Sequence, residues 1–468
     1  TCTTLPKPWP APAGWCDPDE GASICRLPER RSGVDAKKNK ERQVIGSSPQ
    51  VPTRESEKPA MQTNSKYLTP LIEDDYASDP AQRYLEYLLK KRGRRAPVVG
   101  LYCGYAPVEL IRAMGGVPVS LCSSSHRTIP AAESILPANL CPMIKSSFGF
   151  ILTSSCPLYE LSEAIIGETT CDGKKKMFEL ISHLKPTHIM DLPHLPDEEG
   201  VQDRWIAMVR KLKLFLETTF HADITAERLE AEIRETNRKN VLMDRFFDYA
   251  ACHPSPLHWR ELYEVIALDA MTDSEELGQL MEGIFRRLKD RMAEGIFFGT
   301  DDTPRVLVTG CPVGGDAAKV LQVIEEAGGV IVALEACSGM KGYSIRIDEG
   351  TGDPLAAVAA ATLKIPCSCM TPNTGRLAAL DMLIARFRPD VVVDVVLHAC
   401  HSYNVESYKI LRHVKERHGL RCIKIETDYS SGDVEQIRTR IEALFESCAA
   451  TGEERAVRNA PPMARVTG

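Results

Sequence analysis

Twice along this chain a strand-like apolar run leads into a helix that stops at Gly-Gly, and a second apolar run follows. The first occurrence takes residues 96–103 (APVVGLYC), 107–114 (PVELIRAM), the pair Gly115-Gly116 and 117–121 (VPVSL). The second takes 305–310 (RVLVTG), 316–327 (DAAKVLQVIEEA), Gly328-Gly329 and 330–337 (VIVALEAC). Each half continues the alternation. In the first, 163–170 (EAIIGETT) reads as a third strand, 174–185 as a helix and 187–193 (THIMDLP) as a fourth strand. In the second, 376–387 reads as a helix, 390–400 (DVVVDVVLHAC) as a strand, 404–418 as a helix and 421–428 (RCIKIETD) as a strand. Short apolar runs that alternate with helical periods specify parallel sheets. The expectation is an α/β chain with two related parallel-sheet, flavodoxin-like domains.

Between them, residues 201–292 keep helical spacing almost throughout, so a helical insertion joins or caps the two sheets. The resulting division is an extension over 1–64, the first α/β domain over 65–200, the insertion over 201–300, the second α/β domain over 301–448 and a tail over 449–468. The extension is rich in Pro, Ser, Lys and Arg and is expected to be disordered or loosely attached. A helix is expected at 79–91, just ahead of the first strand.

The duplicated order carries cysteines at matching points. Cys103 follows a first strand, Cys141 lies in a middle segment (NLCP) and Cys171 follows a later strand (IIGETTCDG). Cys311 (VTGCPVGG), Cys367 (KIPCSCM) and Cys400 (LHACHSYN) repeat that order. In an open α/β sheet ligands collect beyond the carboxyl ends of the strands. Cys103, Cys171, Cys311 and Cys400 all fall there, which favours a chemical role over simple burial. Three thiolates per cubane would leave one iron of an iron–sulfur cluster open to substrate or to a bridging sulfide. Zinc stands behind iron, because structural zinc sites prefer four protein ligands at local spacing.

The chain has 468 residues, sixteen of them Cys, and a formal net charge of −7. That balance gives no general attraction to nucleic acid or anionic lipid. No apolar run reaches the roughly 18 residues a membrane span needs, and no basic-plus-apolar signal segment opens the chain, so a cytoplasmic protein is expected. Cys122, Cys156, Cys252, Cys422 and Cys448 show no pairing pattern, and Cys2, Cys16 and Cys25 lie in the extension. The run TGCPVGGDAAK lacks the Gly-Lys-Ser/Thr ending of a P-loop, so no nucleotide is expected on this chain. Glu168, three residues before Cys171, and His398 and His401, which flank Cys400, are candidate proton carriers. Ser146 and Ser147 could donate to a nearby sulfur, and Lys174 to Lys176 follow Cys171 at a helix start.

Those motifs resemble the 2-hydroxyacyl-CoA dehydratase / benzoyl-CoA reductase superfamily: GLYCGYAPVELI, LPANLCPMIKSSFGF, IIGETTCDGKKKM, TGCPVGGDAAKV, PCSCMTPN and LHACHSYNVESY. The likeness spans about residues 68–447 and is nearest to the double-cubane cluster proteins. It implies a homodimeric, oxygen-sensitive reductase with an [8Fe-9S] double cubane that reduces a small, hard-to-reduce molecule. Electrons would come from a separate ATP-hydrolysing activator with its own [4Fe-4S] cluster. The alternative it implies is a subunit of a 2-hydroxyacyl-CoA dehydratase, with one [4Fe-4S] cubane per chain. Carried over, Cys141, Cys171 and Cys400 are the firmest ligands. Cys103, Cys311, Cys337 and Cys367 compete for three further places, the duplication favouring Cys103, Cys311 and Cys367. Cys369 ranks lower, two residues past Cys367.

Overall fold

A computed structural model describes residues 71–72, 80–93 and 95–449. The extension, the start of the first α/β domain and the tail beyond Ala449 therefore lie outside the described residues, together with Cys2, Cys16 and Cys25. Helix α1 (Pro80–Arg92) precedes β1 (Val98–Leu101), α2 (Val108–Ala113) and β2 (Val117–Ser120). Then come α3 (Ile129–Ala132), α4 (Pro142–Leu152), α5 (Pro157–Leu161), β3 (Ala164–Glu168), α6 (Asp172–Ile181) and β4 (Thr187–Met190). These strands form one parallel sheet in the order β2-β1-β3-β4.

The second half repeats it with β5 (Arg305–Gly310), α11 (Lys319–Glu326), β6 (Val330–Glu335), α12 (Pro354–Leu363), α13 (Thr374–Phe387), β7 (Val391–Leu397), α14 (His401–His418), β8 (Arg421–Thr427) and α15 (Val434–Ala449). Its sheet is again parallel, in the order β6-β5-β7-β8. The strands β1, β3, β5, β6 and β7 are buried at every residue, as expected of parallel strands covered on both faces. The likeness of the halves extends to the turns. Gly115 (φ 84°) and Gly328 (φ 93°) end α2 and α11 in the left-handed region that glycine enters without steric penalty.

The four helices between the sheets are α7 (Val201–Phe220), α8 (Ala226–Ala251), α9 (Trp259–Met271) and α10 (Ser274–Ala293). They tie the halves together rather than hang from one of them. Leu229 and Ile233 of α8 join the core that covers the first sheet, whereas Met243, Phe246 and Phe247 of the same helix join the core of the second. Helix α12 and the residues after it, from the second half, close over α7 and the first half: Trp205 Nε1 donates to Thr362 Oγ1 at 3.0 Å, and Tyr105 Oη to the carbonyl of Ile365 at 2.9 Å. Asp316 bridges back in the same way, accepting from the His126 amide at 2.7 Å while its own amide donates to the Ser124 carbonyl at 2.8 Å.

Candidate functional site

In each sheet the topological switch falls between the first and third strands, where connections leave toward opposite faces and a crevice opens at the carboxyl ends. Cys103 follows β1 and Cys171 follows β3; Cys311 follows β5 and Cys400 follows β7. Long-range packing then sorts the sulfurs into two sets, and each set draws on both halves.

Cys141, Cys171 and Cys400 are the residues immediately before α4, α6 and α14, so each sulfur stands at a helix N-terminus. First-turn amides of these helices act on the thiols, with a formed hydrogen bond at Cys171. The Lys174 amide lies 3.4 Å from Cys171 Sγ, the amides of Met143 and Ile144 address Cys141, and that of Tyr403 addresses Cys400. A helix N-terminus carries roughly half a positive charge, and anionic sulfur is favoured against it. Side chains at the start of α4 pack over Gly173 of α6. A Cβ there would come 2.7 Å from Ile144 Cδ1 and 3.0 Å from Leu140 Cδ1. The Cys400 thiol interacts with those of Cys141 and Cys311, giving a run of sulfurs from both sheets. Hydrogen bonding to Cys400, followed by burial, pushes the Cys141 thiol well up. Cys311 lies beneath, buried, its sulfur accepting from the Leu397 amide at 3.4 Å.

The second set is Cys103, Cys337 and Cys367, which interact with one another electrostatically, with Cys369 beside them. Its members sit in loops rather than at helix starts, and cations take the place of the amides. The charge of Lys341 acts on Cys337 and Cys367, and that of Lys174 on Cys103. The hydrogen bond from Cys369 holds the Cys367 thiol well below its ordinary range, and Lys341 and Lys174 act in the same direction. Cys337 is exposed, whereas Cys367 is buried.

Glu168, at the end of β3 and three residues before Cys171, is buried, and its charge acts on Cys103. One carboxyl oxygen accepts from the Ala106 amide at 3.0 Å; the other, Oε2, is buried with no hydrogen-bond partner among the described residues. Burial pushes this carboxyl up to about 7, against the pull of Lys174 and the Ala106 amide. The side chains of His398 and His401 are exposed. Ser146 and Ser147 serve the backbone, their hydroxyls accepting from the amides of Ser125 and Ser123 at 3.0 Å each.

Sequence reasoning did not reach the charged group under the second set. Arg376 is fully buried, with its guanidinium 2.8 Å from Thr309 Oγ1, 3.4 Å from Glu335, 3.8 Å from Asp394 and 4.8 Å from the centre of the Tyr403 ring. Lys341 meets the other oxygen of Glu335 at 2.9 Å and Tyr403 Oη at 3.0 Å. Asn373 connects this group to the sulfurs, donating to the Cys367 carbonyl at 2.9 Å and to Glu406 at 2.7 Å.

Asp381, His413 and His418 form the one group among the described residues in which three metal-capable side chains bring their ligand atoms all within 4.8 Å of one another; neither set of sulfurs is drawn that tight. Both imidazole Nε2 atoms meet the same Asp381 oxygen, at 2.7 and 2.6 Å, while Arg417 holds the other at 3.1 Å. The guanidinium already answers the carboxylate and opposes a further cation, so this group reads as an ion-paired end of α14.

Comparison with known proteins bears on these sulfurs. The family model for the 2-hydroxyglutaryl-CoA dehydratase D-component matches residues 103–448. A putative dehydratase subunit of Escherichia coli K12, YjiM, is 40% identical over 379 residues, covering 81% of this chain and 98% of the relative. The beta subunit of lactoyl-CoA dehydratase from Anaerotignum propionicum is 22% identical over 80% of this chain and 96% of its own length. The beta subunit of (R)-phenyllactyl-CoA dehydratase from Clostridium sporogenes is likewise 22% identical, over 80% and 96%.

Proposed function

This chain belongs to the 2-hydroxyglutaryl-CoA dehydratase D-component family, and from that premise we propose that it is an iron–sulfur subunit of a 2-hydroxyacyl-CoA dehydratase. The observation that carries this reading is that Cys141, Cys171 and Cys400 each stand at a helix start, with the Cys141 thiol interacting with those of Cys400 and Cys171. Three thiolates in one place suit a [4Fe-4S] cluster, which supplies one-electron chemistry and an iron without a protein ligand. The donor set fits such a group, because thiolate charge that is costly to bury is offset by three helix N-termini and by Lys174. Glu168 is the best placed of the three candidate proton carriers. Its unpartnered Oε2 holds a proton near neutral pH and is buried beside the sulfurs, while His398 and His401 are exposed. A separate ATP-hydrolysing activator would deliver the electron. No helix among the described residues is long and apolar enough to cross a membrane, and a cytoplasmic setting agrees with that.

One observation favours a second reading, the one that sequence reasoning placed first. A subunit with a single cubane needs only one set of sulfurs, yet Cys103, Cys337 and Cys367 form another, with Cys337 open to solvent. Six thiols in two sets suit an [8Fe-9S] double cubane that reduces small, hard-to-reduce molecules in a homodimer. The relatives' names favour the dehydratase subunit; the second set favours the reductase. Anaerobic purification followed by iron and acid-labile sulfide counts separates them. About four irons per chain, with water lost from a 2-hydroxyacyl-CoA when activator and ATP are added, supports the first. About eight irons, without that elimination, supports the second. Zinc without iron overturns both.

A further inference from the structure

Helix α14, which follows Cys400, turns an unusual face to solvent. Val405 and Tyr408, 76% and 71% exposed, are the two most exposed large apolar side chains among the described residues. Three positions apart, they are neighbours on one helix face. His401, Lys409, Arg412, Lys415 and Glu416 continue that face at helical spacing, all of them exposed, while Tyr403, Ser407, Ile410 and Val414 bury the opposite one. Arg412 answers Glu416 at 2.8 Å, which leaves the charge of the stripe to Lys409 and Lys415. The result is a small apolar centre with a basic rim, on a chain whose net charge is −7. The other two helices that start at a cysteine offer nothing similar. Helix α4 has no exposed residue, and on α6 the outer cations are answered within the helix, Lys175 by Asp172 at 2.8 Å and Lys176 by Glu179.

We propose that this face of α14 is where the electron-delivering partner docks, through an acidic surface with an apolar spot at its centre. The proposal rests on the reading in which Cys141, Cys171 and Cys400 hold a cluster that a separate protein reduces. The step it serves passes one electron from the partner's reduced cluster to the cluster held here, so the partner is oxidised by one and this chain reduced by one. Position favours that occupant. At 1.5 Å per residue, Val405 and Tyr408 lie about 7.5 and 12 Å along the helix axis from Cys400, so a donor seated on them is brought close to the sulfurs. Electron transfer slows steeply with distance, and a basic rim speeds encounter with an acidic partner. A second copy of this chain fits less well. Permanent dimers bury larger and more apolar surfaces, whereas redox partners meet transiently on small ones. In a two-fold contact through this face the basic rim would also meet its own copy, and like charges repel.

The test uses anaerobically iron-loaded full-length protein and the ATP-hydrolysing activator with its own cluster reduced. Electron transfer is followed by stopped-flow absorbance, with titanium(III) citrate as a small reductant that needs no docking. Val405→Glu and Tyr408→Glu should each cut the second-order rate with activator and ATP by about tenfold, leaving iron content and reduction by titanium(III) unchanged. Lys409→Glu combined with Lys415→Glu should lose about tenfold at low salt, and added salt should narrow the gap to wild type. Leu214→Glu, at another exposed apolar position, should match wild type. The proposal is overturned if both apolar variants keep the wild-type rate, if they lose iron, or if Leu214→Glu slows transfer as much as they do. A charge-reversal loss that salt leaves unchanged overturns the acidic partner surface. The proposal also fails if wild type sediments as a dimer that Val405→Glu dissociates, since the face is then a contact between copies. Wild type that binds no iron sinks the cluster reading itself, and this inference with it, before any variant is examined.

Discussion

Replacing Gly310 with alanine tests the way the second sheet aims its first cysteine. Gly310 closes β5 at φ 121°, which L-residues rarely adopt. A Cβ there would lie 2.1 Å from the carbonyl oxygen of Val395 and 2.9 Å from its carbonyl carbon and amide nitrogen. All three are backbone atoms of β7, one of the two central strands of its sheet, and cannot swing aside as a flexible side chain would. The backbone conformation alone should cost about 1–3 kcal/mol. Relief of the overlap separates the strand ends. That breaks the 2.8 Å bond from the Cys311 amide to the Val395 carbonyl and the 3.4 Å contact from the Leu397 amide to Cys311 Sγ. Each such bond contributes about 0.5–1.5 kcal/mol net, so the total loss should be roughly 2–6 kcal/mol, a large share of an ordinary domain's stability. The assay is urea unfolding of reduced, metal-free protein followed by circular dichroism. Gly115→Ala is the control, since Gly115 also has positive φ but its Cβ would meet nothing within 4 Å. It should lose only about 1 kcal/mol. A Gly310→Ala loss no greater than that of Gly115→Ala would refute the steric argument and with it the placement of Cys311 against β7.

Three further outcomes are expected. Glu168→Gln in metal-free protein should gain stability over wild type as pH rises. Below the ordinary glutamate range both folded and unfolded chains carry the proton; between that range and about 7 only the folded wild type keeps it. The advantage, on the order of 2 kcal/mol, should appear in unfolding curves at pH 8 and vanish near pH 4, and a pH-independent difference would contradict it. Arg376→Met removes the cation shared by Glu335, Asp394 and Glu406, and should destabilise by roughly 3–5 kcal/mol in the same urea assay; a loss under 1 kcal/mol would mean that those carboxylates find other partners. Cys141→Ala, Cys171→Ala and Cys400→Ala should each lose the iron of the helix-start set, whereas Cys369→Ala should retain most of its iron. Full iron content in any of the first three removes that residue as a ligand.

The strands were legible because their burial is continuous. Runs such as VVVDVV leave no polar face and are bounded by glycine or by charge, and the predicted second-half strands differ from the observed ones mainly at their ends. Helix α12 escaped notice for the opposite reason: PLAAVAAATL is apolar on all sides, so it has no period to detect, although Asp353 and Pro354 form a good start signal. Helix α14 begins at His401 rather than at Asn404, since cysteine is not among the residues that mark a helix start. That short displacement hid what Cys400 shares with Cys141 and Cys171. The internal repeat grouped Cys311 with Cys103 and Cys367. In the folded chain the Cys311 thiol interacts with that of Cys400, and those of Cys337 and Cys367 with that of Cys103. A repeat reports what each half does by itself. The pairing arises where α12 and the loop around Cys367 cross onto the other half, contacts between residues more than 150 apart such as that of Trp205 with Thr362.

The most direct measurement is diffraction at the iron edge from anaerobically grown crystals of the loaded protein. Anomalous density bonded to Cys141, Cys171 and Cys400 is predicted; a second, adjoining peak at Cys103, Cys337 and Cys367 would replace the dehydratase reading by the double-cubane one. Iron density away from these sulfurs, or sulfurs dispersed with no iron between them, would contradict the account.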